Sequence, residues 1–187
     1  MNLGRIEDLA ELYERQIGTS WQQTMPGSQR VIILCYDKEL EKSLRIRAGE
    51  FEQATQRSGH DWKLVDCTDW FAKWMMQEDY RDAYFEDPSL LGLKLNGEFG
   101  SIMSEQLRSE LETADANTVV AVLGVASLYG FMRVSDLIRE VEQSIQGRLL
   151  VFFPGTKNEN NYRLLDSRDG WNYMANAISL HGEGDLR

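Results

Sequence analysis

The carboxylates of Asp66 and Asp69 are the two side chains whose spacing most resembles a site for chemistry. They lie three residues apart in the segment VDCTD, where an apolar run ends. Because Mg²⁺ prefers carboxylate oxygens as ligands, one interpretation is an enzyme with an unusual magnesium site. The interpretation that we favour is structural: Asp66 ends a strand, and Asp69 or Thr68 caps the following helix.

Two further motifs that could carry chemistry are incomplete. Ser127 follows an apolar strand, as a hydrolase nucleophile does, but Val125 and Tyr129 occupy the glycine positions of G-x-S-x-G. Lys42-Ser43 matches only the last two letters of a phosphate-binding loop, and the preceding turn has no glycine to let backbone N–H groups approach a phosphate. We therefore predict no catalytic residue and no cofactor site.

The two cysteines, Cys35 and Cys67, each lie in an apolar stretch, VIILCYD and WKLVDCT. Two cysteines are too few for a disulfide framework. A redox pair or a metal site is the functional alternative, but His60 and His181 are the only histidines that could complete a metal site. We expect buried, reduced thiols and no metal, since free cysteine is among the most buried residue types.

Polar and aromatic side chains are dense over residues 153–173, and aromatic residues and arginine are enriched at the energetic centres of protein interfaces. Arg133 either contacts a partner or pairs with Asp136, three residues further on. The tyrosines and tryptophan of 153–173 either meet a partner or tuck into the core, and both alternatives stay open. The candidate partner-binding residues are Arg133, Asp136, Asn161, Tyr162, Arg163, Arg168 and Tyr173.

Four apolar runs predict the strands that would position these residues, over 31–36, 62–67, 118–125 and 149–153, the last stopped by Pro154-Gly155. Helical spacing predicts helices over 3–17, 40–54, 70–75, 98–114, 134–145 and 171–180, with an irregular acidic stretch over 77–97 and a frayed tail from about 181. This alternation predicts one α/β domain over 1–187: a three-layer fold with a mostly parallel, doubly wound sheet of at least four strands. Ligands of such sheets bind beyond the carboxyl ends of the strands.

The overall charge limits the classes of partner. The chain has 187 residues, with 20 lysines and arginines against 30 acidic residues and a net charge of −10. Since negative charge repels phosphate, we expect no strong direct nucleic-acid binding. The amino terminus lacks the apolar core of a signal peptide and no run of about 18 apolar residues occurs, so we expect a cytoplasmic protein without membrane contact.

Two C-terminal segments resemble the BrxB proteins of BREX, the bacteriophage exclusion systems. VLGVASLYGFMRVSDLIREVE is similar to the family pattern G-V-x-x-x-Y-P-F-x-R-x-x-x-L-L, and LLVFFPGTKNENNYRLLDSRDGWNYMANAI to the segment with an F-x-P-G turn that follows it. Gly130 stands where family members often carry proline. The rest of the chain matches only in length and order of elements. The positions that carry the resemblance are Gly124, Val125, Tyr129, Phe131, Arg133, Leu137, Phe153, Pro154, Gly155, Leu164, Asn172 and Tyr173.

The resemblance implies a small, non-catalytic accessory subunit of a BREX-type phage-defence complex. Its implied partner is another product of the same operon, foremost the PglZ-like protein with a phosphatase-type fold. The implied fold is a degenerate P-loop sheet without the phosphate loop, which agrees with the glycine-free first turn. The alternative function is a nucleotide- or nucleic-acid-binding module on that degenerate sheet.

Overall fold

A computed structural model describes residues 3–22, 24–165 and 170–180. The helices are α1 (Leu3–Ile17), α2 (Glu41–Arg57), α3 (Trp70–Gln77), α4 (Arg81–Glu86), α5 (Leu91–Lys94), α6 (Gly100–Glu112) and α7 (Val134–Val141). The strands are β1 (Val31–Tyr36), β2 (Asp61–Asp66), β3 (Thr118–Leu123), β4 (Arg148–Asn158), β5 (Asn161–Leu164), β6 (Trp171–Asn172) and β7 (Asn176–Ile178). A π-helix over Leu95–Phe99 joins α5 to α6. Turns of 3₁₀ helix cover Gly27–Arg30, Lys38–Leu40, Pro88–Leu90, Val125–Leu128 and Glu142–Ser144.

The sheet is parallel along the order β2-β3-β4-β1-β7. β1 and β3 are buried along their whole length, as their continuous apolar runs predict, because helices cover both faces. The carboxyl-terminal half of β4 leaves this sheet and pairs antiparallel with β5, which pairs with β6. The result is a mixed sheet in an α/β protein, so the predicted class and the four predicted strands are confirmed.

Alternate residues of each central strand enter two separate cores. Val31, Ile33 and Cys35 of β1 face a core completed by α3, α6 and α7, while Ile32 and Leu34 face a core completed by α1 and α2. This period of two is the one that a strand imposes on its side chains. The three-layer arrangement predicted from the sequence is therefore present.

The predicted end of the fourth strand is wrong. Pro154 and Gly155 do not stop β4, which continues to Asn158. Proline cannot donate to a neighbouring strand, but its carbonyl accepts a hydrogen bond from Leu165 N at 2.8 Å. A side chain at Gly155 would collide with the carbonyl of Arg163 on β5, so glycine allows the two backbones of the hairpin to approach.

The predicted last helix over 171–180 is also wrong. The segment instead forms β6 and β7, and β7 pairs in parallel with the edge of β1, with Ile33 opposite Ala177. The predicted helices over 3–17 and 40–54 are present as α1 and α2, and the predicted tail from about 181 lies outside the described residues.

The turn after β1 is a short 3₁₀ helix over Lys38–Leu40 that runs into α2. The Asp37 carboxylate at this turn accepts a hydrogen bond from Arg5 of α1 at 2.8 Å. The likeness to a P-loop sheet that lacks its phosphate loop stays a prediction.

Candidate functional site

Asp66 is held by local hydrogen bonds rather than aimed into a cleft. Its Oδ1 accepts from the backbone N–H of Thr68 at 3.0 Å and from the Thr68 hydroxyl, and its Oδ2 lies 3.5 Å from Arg45. Asp69 precedes α3 but makes no side-chain capping hydrogen bond. Within the described ranges, no group of three or more His, Cys, Asp or Glu side chains could hold a metal ion.

The two cysteines are free and buried, as the sequence predicts. Burial raises the pKa of each thiol to about 12. The Cys67 thiol donates to the carbonyl of Leu123 at 3.1 Å, at the end of the neighbouring strand β3. Both side chains therefore belong to the core beneath α3 and α6.

A cleft of about 920 Å³ is lined by residues 129–134, in the connection that follows β3, and ligands of doubly wound sheets bind at the loops that follow the strands. Its walls are the π-helix with the first turns of α6, the loop 129–133 with the start of α7, and the hairpin of β5 and β6. A π-helix is rare and frequently occurs at functional sites. This position makes the cleft the strongest candidate site in the described part of the chain.

One wall of the cleft is apolar and packs against the core. Phe131 stacks on Phe71 with ring centroids 3.6 Å apart, and Phe71 meets the buried ring of Phe99 edge-on at 5.7 Å. Leu164 and Trp171 contribute the apolar surface on the hairpin side. Phe99 belongs to the core, and Phe71, Phe131 and Trp171 are partly buried against it, so the core supports this wall of the cleft.

The rim of the cleft is charged and nearly balanced. Arg108 of α6 pairs with Glu105 and donates to the carbonyl of Glu140 on α7 at 2.9 Å, which ties the two helices together. Asp136 lies 3.8 Å from Arg139, so the predicted pair between Asp136 and Arg133 does not form.

Arg133 is exposed at the start of α7, and its guanidinium has no hydrogen-bond or ion-pair partner among the described residues. The backbone carbonyl of Arg133 accepts from the N–H groups of Asp136 and Leu137, which closes the first turn of α7. The main chain of Arg133 is therefore fixed while its charged group is available at the rim of the cleft. The structure brings Arg133 and Asp136 together as lining residues of one cleft.

The remaining candidate residues, which lie in or next to β5 and β6, differ in how deeply they are buried. Tyr162 is fully buried, and Tyr173 is buried with its hydroxyl donating to Glu142 at 2.7 Å, so both tyrosines tuck into the core. Burial raises the pKa of both phenols. Asn161 is half-buried against Gly170, and Arg163 is exposed. Arg168 lies outside the described residues.

The sequence did not reveal the α6 side of the cleft. Asn96, Ser101 and Ser104 line it, but residues 95–97 fell in the stretch that was predicted to be irregular. The glycines at 97 and 100 around the π-helix were the available signal, since glycine inside a helical pattern often marks a special backbone.

Comparison with known proteins assigns the chain to a family. No curated protein and no solved structure matches the chain. None of the helices within the described ranges combines the length and apolar character needed to cross a membrane. The model of the family described as BREX protein BrxB matches residues 69–178, which include the cleft and more than half of the chain. This chain therefore belongs to the BrxB family of BREX phage-defence proteins.

Proposed function

We propose that this protein is a non-catalytic accessory subunit that docks on another component of its BREX complex. The observation that carries the proposal is the cleft: an apolar wall of fixed rings surrounded by a charged rim on which Arg133 is unpaired among the described residues. Protein interfaces have this anatomy, with an apolar centre, a polar rim and arginine among the residues that contribute most.

Of the candidate residues, Arg133 and Asp136 line the cleft. Arg163 is exposed on the face of β5 opposite Leu164, and Asn161 is half-buried. Tyr162 and Tyr173 support the hairpin from within the core and can act only by positioning it. A partner segment seated in the cleft would meet Arg133 and Asp136 at one end and the hairpin at the other. A stable complex of this kind buries about 1,200–2,000 Å² in total.

The partner that we propose is a protein product of the same operon, and the PglZ-like protein is the first to test. The net charge of −10 supports a protein partner over nucleic acid, because a phosphate backbone is repelled by an acidic surface. A nucleotide-binding role remains the alternative prediction, and added ATP with Mg²⁺ should then raise the melting temperature by mass action.

The test uses the purified full chain and each product of its operon, expressed singly. We expect one product to co-elute with the chain in size-exclusion chromatography, with a fixed stoichiometry by mass measurement. Arg133→Ala and Asp136→Ala should each weaken the complex about tenfold, because both residues line the cleft. Arg15→Ala is the matched control, since Arg15 is exposed on α1 in the opposite layer. Separate elution of every product would overturn the proposal.

A further inference from the structure

Exposed apolar side chains are concentrated in one short segment, residues 76–93, which we call the 76–93 surface. Half of the large hydrophobic side chains that are exposed in the described part of the chain lie here, although the segment is about a tenth of the sequence. Single exposed hydrophobic residues are ordinary, but a concentration of them marks an interaction surface. They are Met76 (70% exposed), Tyr80 (71%), Phe85 (68%), Leu90 (52%) and Leu93 (90%).

The local fold explains why these side chains face outwards. The segment contains the end of α3, the six residues of α4, a 3₁₀ turn at Pro88 and the first three residues of α5. Helices this short bury little: Tyr84 and Leu91 reach the core beside Trp74 and Phe99. Because those two anchors fix α4 and α5, the exposed apolar residues lie on a supported surface.

The same segment is strongly acidic. Five acidic residues lie within it, against one base, Arg81: Glu78, Asp79, Asp82, Glu86 and Asp87. Arg81 lies 3.8 Å from Asp82, and Glu78 lies 3.3 Å from Lys94, which directly follows the segment. The other three acidic residues, Asp79, Glu86 and Asp87, form a negatively charged fringe around the exposed apolar side chains.

We propose that the 76–93 surface is a second docking site, for a protein partner that presents basic side chains around an apolar pocket. Complementary charge identifies the occupant: a basic rim would meet the exposed carboxylates of Asp79 and Glu86, and an apolar pocket would cover Phe85 and Leu93.

The other classes of occupant fit this charge poorly. Nucleic acid and anionic lipid carry the same sign as the fringe. A second copy of this chain that used the same surface would bring two acidic fringes together, which charge repulsion opposes. The inference rests on the proposed function in one respect, because the partner is taken from the same BREX assembly.

The test is a binding titration of the full chain against each purified product of its operon, at low and at high salt. Phe85→Ser and Leu93→Ser in one variant should weaken the complex about tenfold, because both side chains would lie in the covered centre. Ile46→Ser is the matched control, since Ile46 is 85% exposed on α2 in the opposite layer. The charge variant Asp79→Asn with Glu86→Gln should slow association and flatten its dependence on salt.

The outcomes separate the two proposals. Binding that Phe85→Ser/Leu93→Ser weakens and Ile46→Ser leaves unchanged supports the 76–93 surface as a docking site. Binding that persists unchanged in the double variant overturns this site and leaves the proposed function intact. If no operon product binds the wild-type chain, both proposals fail. Self-association in sedimentation that the double variant abolishes would overturn the heterologous partner in favour of a second copy.

Discussion

Replacing Tyr162 by phenylalanine should stabilise the protein, although Tyr162 was a candidate for partner binding from its residue type. Its side chain is fully buried, and its hydroxyl has no hydrogen-bond partner among the described residues. The ring stacks on Trp171 with centroids 5.0 Å apart and meets Phe153 edge-on at 6.0 Å. Phenylalanine keeps these ring contacts and removes only the hydroxyl.

The expected size follows from the cost of a buried polar group that lacks a partner, about 1–3 kcal/mol. Taking the lower end, Tyr162→Phe should raise the free energy of unfolding by about 1 kcal/mol, because the cavity left by one oxygen offsets part of the gain. For a chain of this size that corresponds to an increase of about 2–4 °C in melting temperature.

Tyr13→Phe is the matched control, because Tyr13 is equally buried but its hydroxyl is paired. The hydroxyl oxygens of Tyr13 and Thr55 lie 2.7 Å apart, and Thr55 donates to the carbonyl of Phe51, so the Tyr13 hydroxyl donates to Thr55. Its removal should lower the free energy of unfolding by about 0.5–1.5 kcal/mol. The same chemical change is therefore predicted to have opposite signs at the two sites.

Urea unfolding followed by tryptophan fluorescence measures both variants, with the slope checked for equality so that midpoints report stability. The reasoning would be refuted if Tyr162→Phe lowered the midpoint as much as Tyr13→Phe does. Such a result would mean that the Tyr162 hydroxyl is hydrogen-bonded in solution. Affinity for the operon partner should stay unchanged in Tyr162→Phe, since a buried hydroxyl touches no partner.

Three further predictions concern the turn at the cleft, the thiols and acid stability. Gly130 has φ = 83°, which proline cannot adopt. Gly130→Pro should therefore lower the melting temperature far more than Gly130→Ala, whose backbone strain costs about 1–2 kcal/mol. Equal decreases in melting temperature would contradict this reasoning. Cys35 and Cys67 are buried with pKa values raised to about 12, so iodoacetamide at mildly alkaline pH should modify them slowly in the native protein and rapidly in urea; fast native labelling would show that the core opens. The hydrogen bond from Arg57 lowers the pKa of Glu14 below its usual 4.5. The contribution of this pair to the free energy of unfolding is therefore present above pH 4.5 and is lost as the pH falls through the pKa of Glu14 in the folded protein. The difference in stability between wild type and Glu14→Gln should therefore vanish in acid; a difference that persists there would contradict the pairing.

The central strands could be predicted from the sequence because burial on both faces of the sheet requires a continuous apolar run in each strand. β1 and β3 are covered on both faces, so every residue of VIILCY and TVVAVL is buried and the runs are apolar without alternation. β2 lies at the edge of the sheet and half of its residues are exposed, yet the turn residues on either side of it delimit it in the sequence. Patterns of this kind need no knowledge of distant residues.

The errors fall where pairing over a long distance decides the structure. β7 exists because residues 176–178 reach the free edge of β1, more than 140 positions earlier in the chain, and nothing local to the segment reveals that edge. The continuation of β4 through Pro154 likewise depends on β5 and on the carbonyl bond to Leu165. For the candidate site, residue type alone could not separate buried Tyr162 from exposed Arg163, its neighbour, because alternation along β5 places them on opposite sides.

The long connection between β2 and β3 builds both proposed docking surfaces. Its first part, α3 to α5, carries the 76–93 surface, and its second part, the π-helix and α6, forms a wall of the cleft. Trp74 and Phe99, whose rings lie 5.1 Å apart, join the two parts through one aromatic contact in the core. The match to the BrxB family begins at residue 69, where this connection begins, and extends through β7. The family-defining part of the chain is thus the part that shapes both surfaces, while α1, β1, α2 and β2 supply the other layer and two strands of the sheet that supports them.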